Sequence, residues 1–359
     1  MNFFKRIAYH PSVIKITHWE YWSFNAVYSP IYLYFIWLGL KPRAIFFVNA
    51  ANPGILNGGF LMESKKEIYD IIPNQFYPRT VYLPKAAKLS EALSQIQQAG
   101  IEYPFIAKPD IGGRGRMVAK INTEAELMEY LNIVQEDYLL QEMVHWKNEA
   151  GIFYYRYPNE AKGHISGIVA KEFLSITGNG KNTMLQLLQQ EKRFILQIPA
   201  LHKIYGKRMY EVMPAGITEV LVPFGNHARG SKFIDASNKI DEALTKAIDD
   251  ICTQIPGFYF GRMDIKFNSW EELKQGKNLS IIELNGSGSE PTHIYDPAHS
   301  VFFAWKEIIR HWKIMQRISI INHKTFGVPY MTLKEGLQML KSDTEHLKKT
   351  SNNNSNQTL

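Results

Sequence analysis

A glycine-rich stretch preceded by a lysine has the composition of a phosphate-binding loop. Lys108 ends the apolar run FIAK, and Gly112, Gly113, Arg114 and Gly115 follow within a few residues. Glycines let backbone N–H groups approach phosphate oxygens, and an arginine adds charge-assisted hydrogen bonds. The pattern therefore predicts a phosphate-binding loop between two strands, with an ordinary hairpin as the alternative.

Two segments nearer the C-terminus, FGRMDIKF and SIIELN, carry acidic residues in an alternating pattern. Because side chains of a strand return to the same face every second residue, Arg262 and Asp264 share one face, and so do Glu283 and Asn285. Mg²⁺ takes one or two carboxylates and completes its octahedron with phosphate oxygens and water. We therefore predict that Asp264, Glu283 and Asn285 bind magnesium; solvated acids on a surface hairpin are the alternative.

The elements that must position these residues are predicted to be helices and antiparallel strands. Apolar runs bounded by glycine or proline indicate strands, and apolar residues three and four apart indicate helices. Residues 44–50, AIFFVNA, are predicted to form a buried strand, and the runs on either side of PNEAKG a hairpin. Helices are predicted at residues 63–72, 86–99, 123–134 and 239–255.

Composition narrows the class of protein. Of 359 residues, 45% are hydrophobic, and 41 Lys plus Arg against 34 Asp plus Glu give a net charge of +7. This apolar fraction excludes a disordered chain. The single cysteine, Cys252, excludes an internal disulfide framework, so a reducing cytoplasm is the expected compartment. The basic charge favours an anionic partner.

Residues 21–40 carry no charged side chain and are rich in aromatic residues. The run reaches the length of about 20 residues that a spanning helix needs, but Asn25, Pro30 and Gly39 oppose a simple span. Three interpretations stay open: a helix at the membrane surface, a segment buried in the protein, and a true span. Residues 301–321 predict a basic amphipathic helix, suited to a membrane surface or to core packing.

With these features in this order, residues 64–297 resemble the ATP-grasp superfamily, and within it the D-alanine–D-alanine ligase type of carboxylate-amine ligase. The resemblance implies an α+β fold in which two α+β subdomains with antiparallel sheets clasp ATP. A short, truncated N-terminal α/β region with an aromatic hydrophobic helix would precede them. The implied cofactors are ATP and Mg²⁺, with two ions expected and Mn²⁺ able to replace them.

The resemblance also implies which residues contact the nucleotide phosphates. Lys108 matches the lysine before the glycine loop, and Lys171 in IVAKEF matches the second phosphate lysine. Lys65 or Lys66 matches an earlier lysine at the start of a helix. The glycine loop would be the lid that excludes water from the bound phosphates.

The segment QEMVHWKNE resembles the hinge between the two family subdomains. Glu142 corresponds to the glutamate on the adenine side, and Glu149 to the acceptor of a ribose hydroxyl. Met143 and Val144 correspond to hinge residues that offer backbone groups. GRMD and IIELN match two further family elements, which implies that Arg262 faces the γ-phosphate or the acyl phosphate.

The implied activity is that of an ATP- and magnesium-dependent carboxylate-amine ligase of class EC 6.3. A substrate carboxylate would become an acyl phosphate, and an amine would displace phosphate to give an amide. Candidate catalytic residues are Lys171, Arg262 and, beside the acceptor, Arg229. Further acceptor-side candidates are Ser289, Glu290, Thr292 and His293. The alternative is an ATP-grasp phosphotransferase that acts on a hydroxyl substrate.

The expected partners are ATP, a small or amphiphilic carboxylate, and an amine. D-alanine is disfavoured because the stretch before Lys65 is short for such a ligase. Nucleic acid is not expected, since no basic-aromatic RNA motif occurs. Membrane contact would run through residues 21–40 and 301–321 and would place a cytoplasmic protein at the inner face of the membrane.

Predicted segment boundaries follow changes in residue pattern along the chain. A basic, aromatic N-terminus is followed by a short region, by two ATP-grasp subdomains with the metal site in the second, and by a helix with a disordered tail. Their ranges are 1–42, 43–85, 86–190, 191–330 and 331–359.

Overall fold

A computed structural model describes residues 7–113, 115–222, 225, 227 and 230–354, and it describes side chains as far as residue 349.

Strands in the described part of the chain form two larger sheets and one ribbon, and every neighbouring pair runs antiparallel. Sheet A has the order β1-β4-β2-β3, sheet B the order β11-β10-β5-β6-β9, and the ribbon consists of β7 and β8. The strands are β1 (Thr80–Leu83), β2 (Phe105–Pro109), β3 (Ala119–Ile121), β4 (Tyr138–Glu142), β5 (Asn148–Tyr155), β6 (His164–Glu172), β7 (Leu174–Thr177), β8 (Thr218–Val222), β9 (Lys232–Asp235), β10 (Phe260–Phe267) and β11 (Leu279–Asn285).

Helices surround these sheets. They are α1 (Pro11–Thr17), α2 (Phe24–Tyr28), α3 (Tyr32–Leu38), α4 (Lys65–Ile71), α5 (Leu89–Gln98), α6 (Glu124–Ile133), α7 (Met184–Leu188), α8 (Lys192–Ile195), α9 (Ile198–Tyr205), α10 (Glu242–Cys252), α11 (Trp270–Leu273), α12 (Val301–Phe326) and α13 (Leu333–Asn354). The α+β class predicted from the sequence is confirmed, with the predicted helices at α4, α5, α6 and α10.

Each large sheet buries one face under helices. On sheet A, Phe105, Ala107 and Leu140 pack against Ala92 and Leu127 of α5 and α6. Side chains of β5, β6, β10 and β11 pack against α4 and α10 in a second core. The alternation of apolar and polar residues along the strands explains why the other face stays available for polar side chains.

The glycine loop joins two paired strands, as predicted. Phe105 pairs with Ile121 and Ala107 with Ala119, so β2 and β3 form a hairpin. The hairpin predicted around PNEAKG is likewise β5 and β6.

The strand predicted over residues 44–50 was wrong. Residues 44–50, all of them described, form no strand, and Phe47–Ala51 is a 3₁₀ helix instead. This stretch packs against α12, and the Asn322 side chain donates a hydrogen bond to the Ala50 carbonyl at 2.8 Å. A side chain thus satisfies a backbone group that a neighbouring strand would otherwise have to pair. Since the described residues before β1 contain only helices and turns, the N-terminal region is helical and not α/β.

The connection between the two sheets does not coincide with a predicted segment boundary. Residues 143–147 separate β4 of sheet A from β5 of sheet B. Because β5 pairs with β10, the predicted boundary between residues 190 and 191 falls between strands of one sheet.

Residues 21–40 fold as short helices, α2 and α3, joined by a turn that contains Pro30. In the part of the chain that the structure describes, no helix has both the length and the apolar character needed to cross a membrane. One side of this segment is buried against α12 and the residues before it, through Val27, Tyr28, Ile31 and Leu38.

Candidate active site

A small cleft opens where α4, the glycine loop and β11 meet. Polar groups from all three elements line it: Glu63, Lys65, Tyr69, Gly112, Glu283 and Asn285. The sequence-predicted residues from two distant parts of the chain therefore face one space.

Lys108 lies on β2 and contacts Tyr69, which lines this cleft; 7% of the Lys108 surface is exposed. Its ammonium group donates hydrogen bonds to Gln141 Oε1 at 2.8 Å, the Tyr69 hydroxyl at 2.9 Å and the Ile282 carbonyl at 3.1 Å. The last contact places Lys108 beside β11, one residue before Glu283. Burial lowers the pKa of Lys108 from 10.5 to about 8, and the Glu283 charge only partly opposes that shift.

Lys65 and Lys66 point in different directions, which separates two residues that the sequence could not tell apart. Lys65 lines the cleft and donates to the Asp110 carbonyl at 3.0 Å and the Gly112 carbonyl at 2.7 Å. Burial lowers the pKa of Lys65. Lys66 instead forms an exposed ion pair with Asp70, one turn along the helix. Lys65 is thus the residue of the pair that lines the cleft.

The glycine loop approaches the cleft through Gly112, whose φ of 122° suits only glycine without strain. A Cβ added at Gly113 would meet no atom within 4 Å, so this backbone faces open space. Gly115 also has a positive φ, of 69°. Arg114, predicted to add charge here, lies outside the described residues.

On sheet B, Lys171 stands between two carboxylates. Its ammonium group is 2.9 Å from Glu149 Oε1 and 2.8 Å from Asp264 Oδ2. Arg262 Nε donates to the other oxygen of Asp264 at 2.9 Å. Although burial opposes charge on Lys171, Asp264 and Glu149 hold its pKa above the ordinary value. Desolvation likewise opposes charge on Asp264, but Arg262 and Lys171 keep its pKa low.

The predicted metal ligands share one face of β10 and β11. Asp264 pairs directly with Glu283, and Arg262 with Asn285, as the alternation predicted. Side chains of directly paired residues lie about 5 Å apart at Cβ. The cleft residues Glu283 and Asn285 are thus brought close to Asp264.

This donor set fits Mg²⁺. Glu283 and Asn285 line the cleft, and Asp264, whose oxygens already accept from Lys171 and Arg262, lies beside them. Carboxylate and amide oxygens are hard ligands of the kind that Mg²⁺ prefers. No group of three or more His, Cys, Asp or Glu side chains among the described residues is arranged for a metal, so the site would rest on two carboxylates and one amide.

The predicted hinge residues follow sheet A. Glu142 ends β4, and its two carboxylate oxygens accept hydrogen bonds from Arg79 at 2.9 and 2.7 Å. Met143 and Val144 lie in the connection from sheet A to sheet B. Glu149 is placed on sheet B with its carboxylate bound to Lys171, so a ribose contact would have to share that carboxylate.

A polar cluster continues from Arg262 toward the N-terminal helices. Glu290 Oε1 accepts hydrogen bonds from the hydroxyls of Tyr28 at 2.8 Å and Tyr295 at 2.9 Å. Arg262 Nη1 donates to the Glu290 carbonyl at 3.3 Å. Glu290 therefore lies beside Arg262 of β10, and Tyr28 brings residues 21–40 to the same place.

Other acceptor-side candidates have structural partners. His293 is buried, and its Nε2 lies 3.4 Å from Glu307. The Ser289 hydroxyl donates to the Gly286 carbonyl. Thr292 begins a 3₁₀ turn. Arg229, the remaining candidate, lies outside the described residues.

Sequence reasoning missed several site residues. Tyr69 donates to the Ile282 carbonyl at 2.6 Å and accepts from Lys108. Gln141, Arg79 and Tyr28 likewise carry no motif. Only the uncharged aromatic run around Tyr28 gave a signal, and it indicated a membrane or a core rather than a site.

Neither a protein-family model nor a curated protein matches this sequence. Several solved structures resemble the fold at low sequence identity. A bifunctional glutathione synthetase from Pasteurella multocida is 12% identical over 75% of this chain and 38% of its own, with a TM-score of 0.37. A D-Ala:D-Ser ligase from Enterococcus faecalis is 14% identical over 74% of this chain and 61% of its own, with a TM-score of 0.39.

A D-alanine–D-alanine ligase from Bacillus anthracis is 10% identical over 72% of this chain and 66% of its own, with a TM-score of 0.38. The chain thus spans less than two thirds of the length of each of these three proteins.

Proposed function

We propose that this protein is an ATP- and Mg²⁺-dependent ligase of the ATP-grasp kind that activates a carboxylate as an acyl phosphate and joins it to an amine. The observation that carries the proposal is the contact of Lys108 with the Ile282 carbonyl at 3.1 Å, next to Glu283. A cation from sheet A thereby meets the acidic face of sheet B in one cleft. The motif resemblance supplies the class of reaction.

In this proposal the nucleotide lies between the two sheets. Lys108 and Lys65 bind its phosphates, and the backbone of Gly112 and Gly113 approaches them as the glycine loop closes. Burial makes each charge interaction stronger than it would be in water. The adenosine extends toward the connection between the sheets, where Met143 and Val144 offer backbone groups.

The ends of the adenosine would meet two glutamates. Glu142, held in place by Arg79 through two hydrogen bonds, would accept from the adenine amino group. Glu149 would accept from a ribose hydroxyl with the carboxylate oxygen that Lys171 leaves open.

Asp264, Glu283 and Asn285 are the residues that would hold Mg²⁺. When bound, the ion supplies positive charge to the phosphate oxygens of ATP. Asp264 also orients Lys171 and Arg262, because its two oxygens accept from one each. The cations therefore need no rearrangement to act on the nucleotide, which is the condition for electrostatic catalysis.

The reaction would take two steps. An oxygen of the substrate carboxylate attacks the γ-phosphorus, the bond to the β,γ-bridging oxygen breaks, and ADP leaves. The amine nitrogen then attacks the acyl carbon, the bond from that carbon to the phosphate oxygen breaks, phosphate leaves, and the nitrogen releases a proton to solvent. Arg262 and Lys171 stabilise the charge on the transferring phosphoryl group. The closed glycine loop excludes water that would hydrolyse the acyl phosphate.

Product analysis tests this reaction. The purified protein is incubated with ATP, Mg²⁺ and pooled carboxylates and amines, and ADP, free phosphate and amide are measured separately. A ligase yields all three in equal amounts. ADP with a phosphorylated alcohol and no free phosphate would identify the phosphotransferase alternative instead. Absence of Mg²⁺-dependent ADP formation from every pool, together with absence of ATP binding, would contradict both.

Two variants make this assay specific for the cleft. Glu283→Gln keeps the side-chain volume but removes a charge from the proposed metal site, and ADP formation should be lost. Glu129→Gln makes the same change on an exposed residue of α6 and should leave the rate unchanged. Because ATP is an intracellular substrate, we also propose that the catalytic region works in the cytoplasm.

A further inference from the structure

The outer side of α3 is an exposed apolar surface. Leu33, Ile36, Trp37 and Leu40 have 79%, 50%, 58% and 67% of their surface exposed. They recur three, four and seven residues apart, so they form one stripe along the helix and the turn after it. These four residues are called the α3 patch below.

The opposite side of the same segment is firmly packed, so the exposure is not a sign of loose structure. The Trp305 indole donates to the Val27 carbonyl at 2.8 Å, and the Gln316 side chain donates to the Leu38 carbonyl. Phe35 packs on Phe47 and Trp312. A fixed helix that presents aliphatic and indole groups to solvent indicates an interaction site.

Basic residues flank the α3 patch. Lys313 of α12 lies 5.6 Å from the ring of Tyr34, which is on α3 itself. Lys306 and Arg317 lie seven residues before and four after Lys313, on the same exposed face of α12, and Arg317 also lies 3.9 Å from Glu160. This set of three is called the basic flank.

The segment around the patch adds further positive charge and no negative charge. Residues 21–62 contain Lys41 and Arg43 and no Asp or Glu. Both of these basic residues are exposed. An apolar strip rimmed by cations matches the apolar interior and anionic head groups of a lipid surface.

We propose that the α3 patch and the basic flank dock this protein on an anionic lipid bilayer, with α3 lying in the plane of the head groups. Charge decides between this occupant and a second copy of the chain. A symmetric dimer through the patch would bring two basic flanks together, whereas an anionic bilayer neutralises them.

Docking would orient the active site relative to the bilayer. Tyr28, in the helix before α3, donates to Glu290 beside Arg262. The acceptor side of the cleft is therefore built on the segment that meets the bilayer. Resting on the function proposed above, an amphiphilic carboxylate or amine held in the membrane is the substrate class that this placement favours.

Vesicle flotation of the full-length protein tests the docking independently of turnover. Phosphatidylcholine vesicles are compared with vesicles that also contain phosphatidylglycerol, at low and high salt. We expect flotation with the anionic vesicles and its reduction at high salt, because exposed charges are screened. A wild-type protein that stays at the bottom of the gradient with both lipids would overturn the proposal, whatever its enzymatic activity.

Matched variants locate the surface. Leu33→Asp with Trp37→Asp should weaken vesicle binding by at least about tenfold, since burial of each side chain favours the bound state. Lys313→Gln with Arg317→Gln should weaken it about fivefold per charge, on anionic vesicles alone. Ile204→Asp, which alters an exposed side chain of α9, is the control and should bind as wild type does.

Two results would overturn the assignment. The first is equal flotation of the Leu33→Asp, Trp37→Asp variant and the wild type. The second is a vesicle-free dimer, seen by light scattering, that this variant abolishes while no protein floats; a second copy would then be the occupant of the patch. Circular dichroism and the melting temperature of each variant verify that a loss of binding is not a loss of folding.

Discussion

Two buried lysines, Lys108 and Lys171, lie on different sheets, and their surroundings differ. Among the described residues, the acceptors that bind Lys108 of sheet A are neutral: an amide oxygen, a hydroxyl and a carbonyl. Lys171 of sheet B is bound by two carboxylates. Burial lowers the pKa of Lys108 to about 8, whereas the neighbouring acids raise that of Lys171.

The contrast separates a lysine whose charge is compensated by buried carboxylates from one whose charge is not. Lys171 is charge-compensated before any ligand arrives, so it holds Asp264 and Glu149 in place. The charge of Lys108 is compensated only by the Glu283 field and would be stabilised further by an anion. On this account a triphosphate completes the environment of Lys108.

The largest expected effect is on folding. Lys171→Met should lower the free energy of unfolding by about 3–5 kcal/mol, because it leaves the buried carboxylates of Asp264 and Glu149 with fewer cations. In Lys108→Met, no directly bound buried carboxylate among the described residues loses its partner. The free energy of unfolding should therefore fall by no more than about 1–3 kcal/mol, the cost of leaving the Lys108 hydrogen-bond acceptors unpaired. Urea unfolding measures both, with the exposed Lys246→Met as control. Equal losses for the two lysines would contradict the contrast.

The second effect is on turnover. Lys108→Met should slow Mg²⁺-dependent ADP formation by about 10²–10³-fold, the usual cost of one preorganised electrostatic contact. The assay is run under conditions in which the variant is folded, as the unfolding curves establish. A rate within a factor of two of the wild type would remove Lys108 from the phosphate site.

The third prediction concerns pH. Lys108 loses its proton near pH 8, and a bound anion raises its pKa, so nucleotide binding takes up a proton. Affinity for ATP should therefore fall as pH rises above about 8, by at most about tenfold per unit. The dependence should disappear in Lys108→Met. A pH-independent affinity in the wild type between pH 7 and pH 9 would refute the assignment of this titration to Lys108.

The lowered pKa of Lys108 affects ATP affinity and protein stability in opposite directions. As pH rises, ATP affinity falls, whereas the stability of the protein without nucleotide increases. Because the pKa of Lys108 is lower in the folded chain than its ordinary 10.5, the unfolded chain binds more protons between about pH 8 and 10.5. The Lys108 contribution to stability should rise across that range. Comparing wild type with Lys108→Met by urea unfolding at both ends isolates it.

The smallest expected effect involves Glu142. Its ion pair with Arg79 is exposed, so Glu142→Gln should change stability by no more than about 1 kcal/mol. It should instead weaken the preference for ATP over GTP, since the amide no longer acts only as an acceptor toward the adenine amino group. Competition binding of the two nucleotides measures this. An unchanged preference would place the adenine elsewhere.

Local pattern was sufficient to predict part of this site. The period of a strand placed Arg262 with Asp264 and Glu283 with Asn285, and the observed register joins the two pairs. The hairpin around the glycine loop was also predicted, because the preference of glycine for turns depends on local sequence.

Contacts between residues far apart in the sequence could not be predicted. Lys65 and Lys66 are neighbours at the start of α4, and only the packing of the helix on Asp110 decides which one enters the cleft. Tyr28 reaches Glu290 across 262 positions of sequence. The apolar run at 44–50 had the composition of a strand, but α12 covers it and leaves no strand edge beside it; tertiary packing overrode the propensity.

Calorimetric titration with a non-hydrolysable ATP analogue measures whether sheet A and sheet B bind one magnesium–triphosphate between Lys108 and Glu283. We expect the wild-type protein to bind the analogue only with Mg²⁺. Lys108→Met and Glu283→Gln should each lose at least about tenfold in affinity, whereas Glu129→Gln should bind normally. Binding by both cleft variants with the wild-type affinity and the same magnesium dependence would contradict this binding mode.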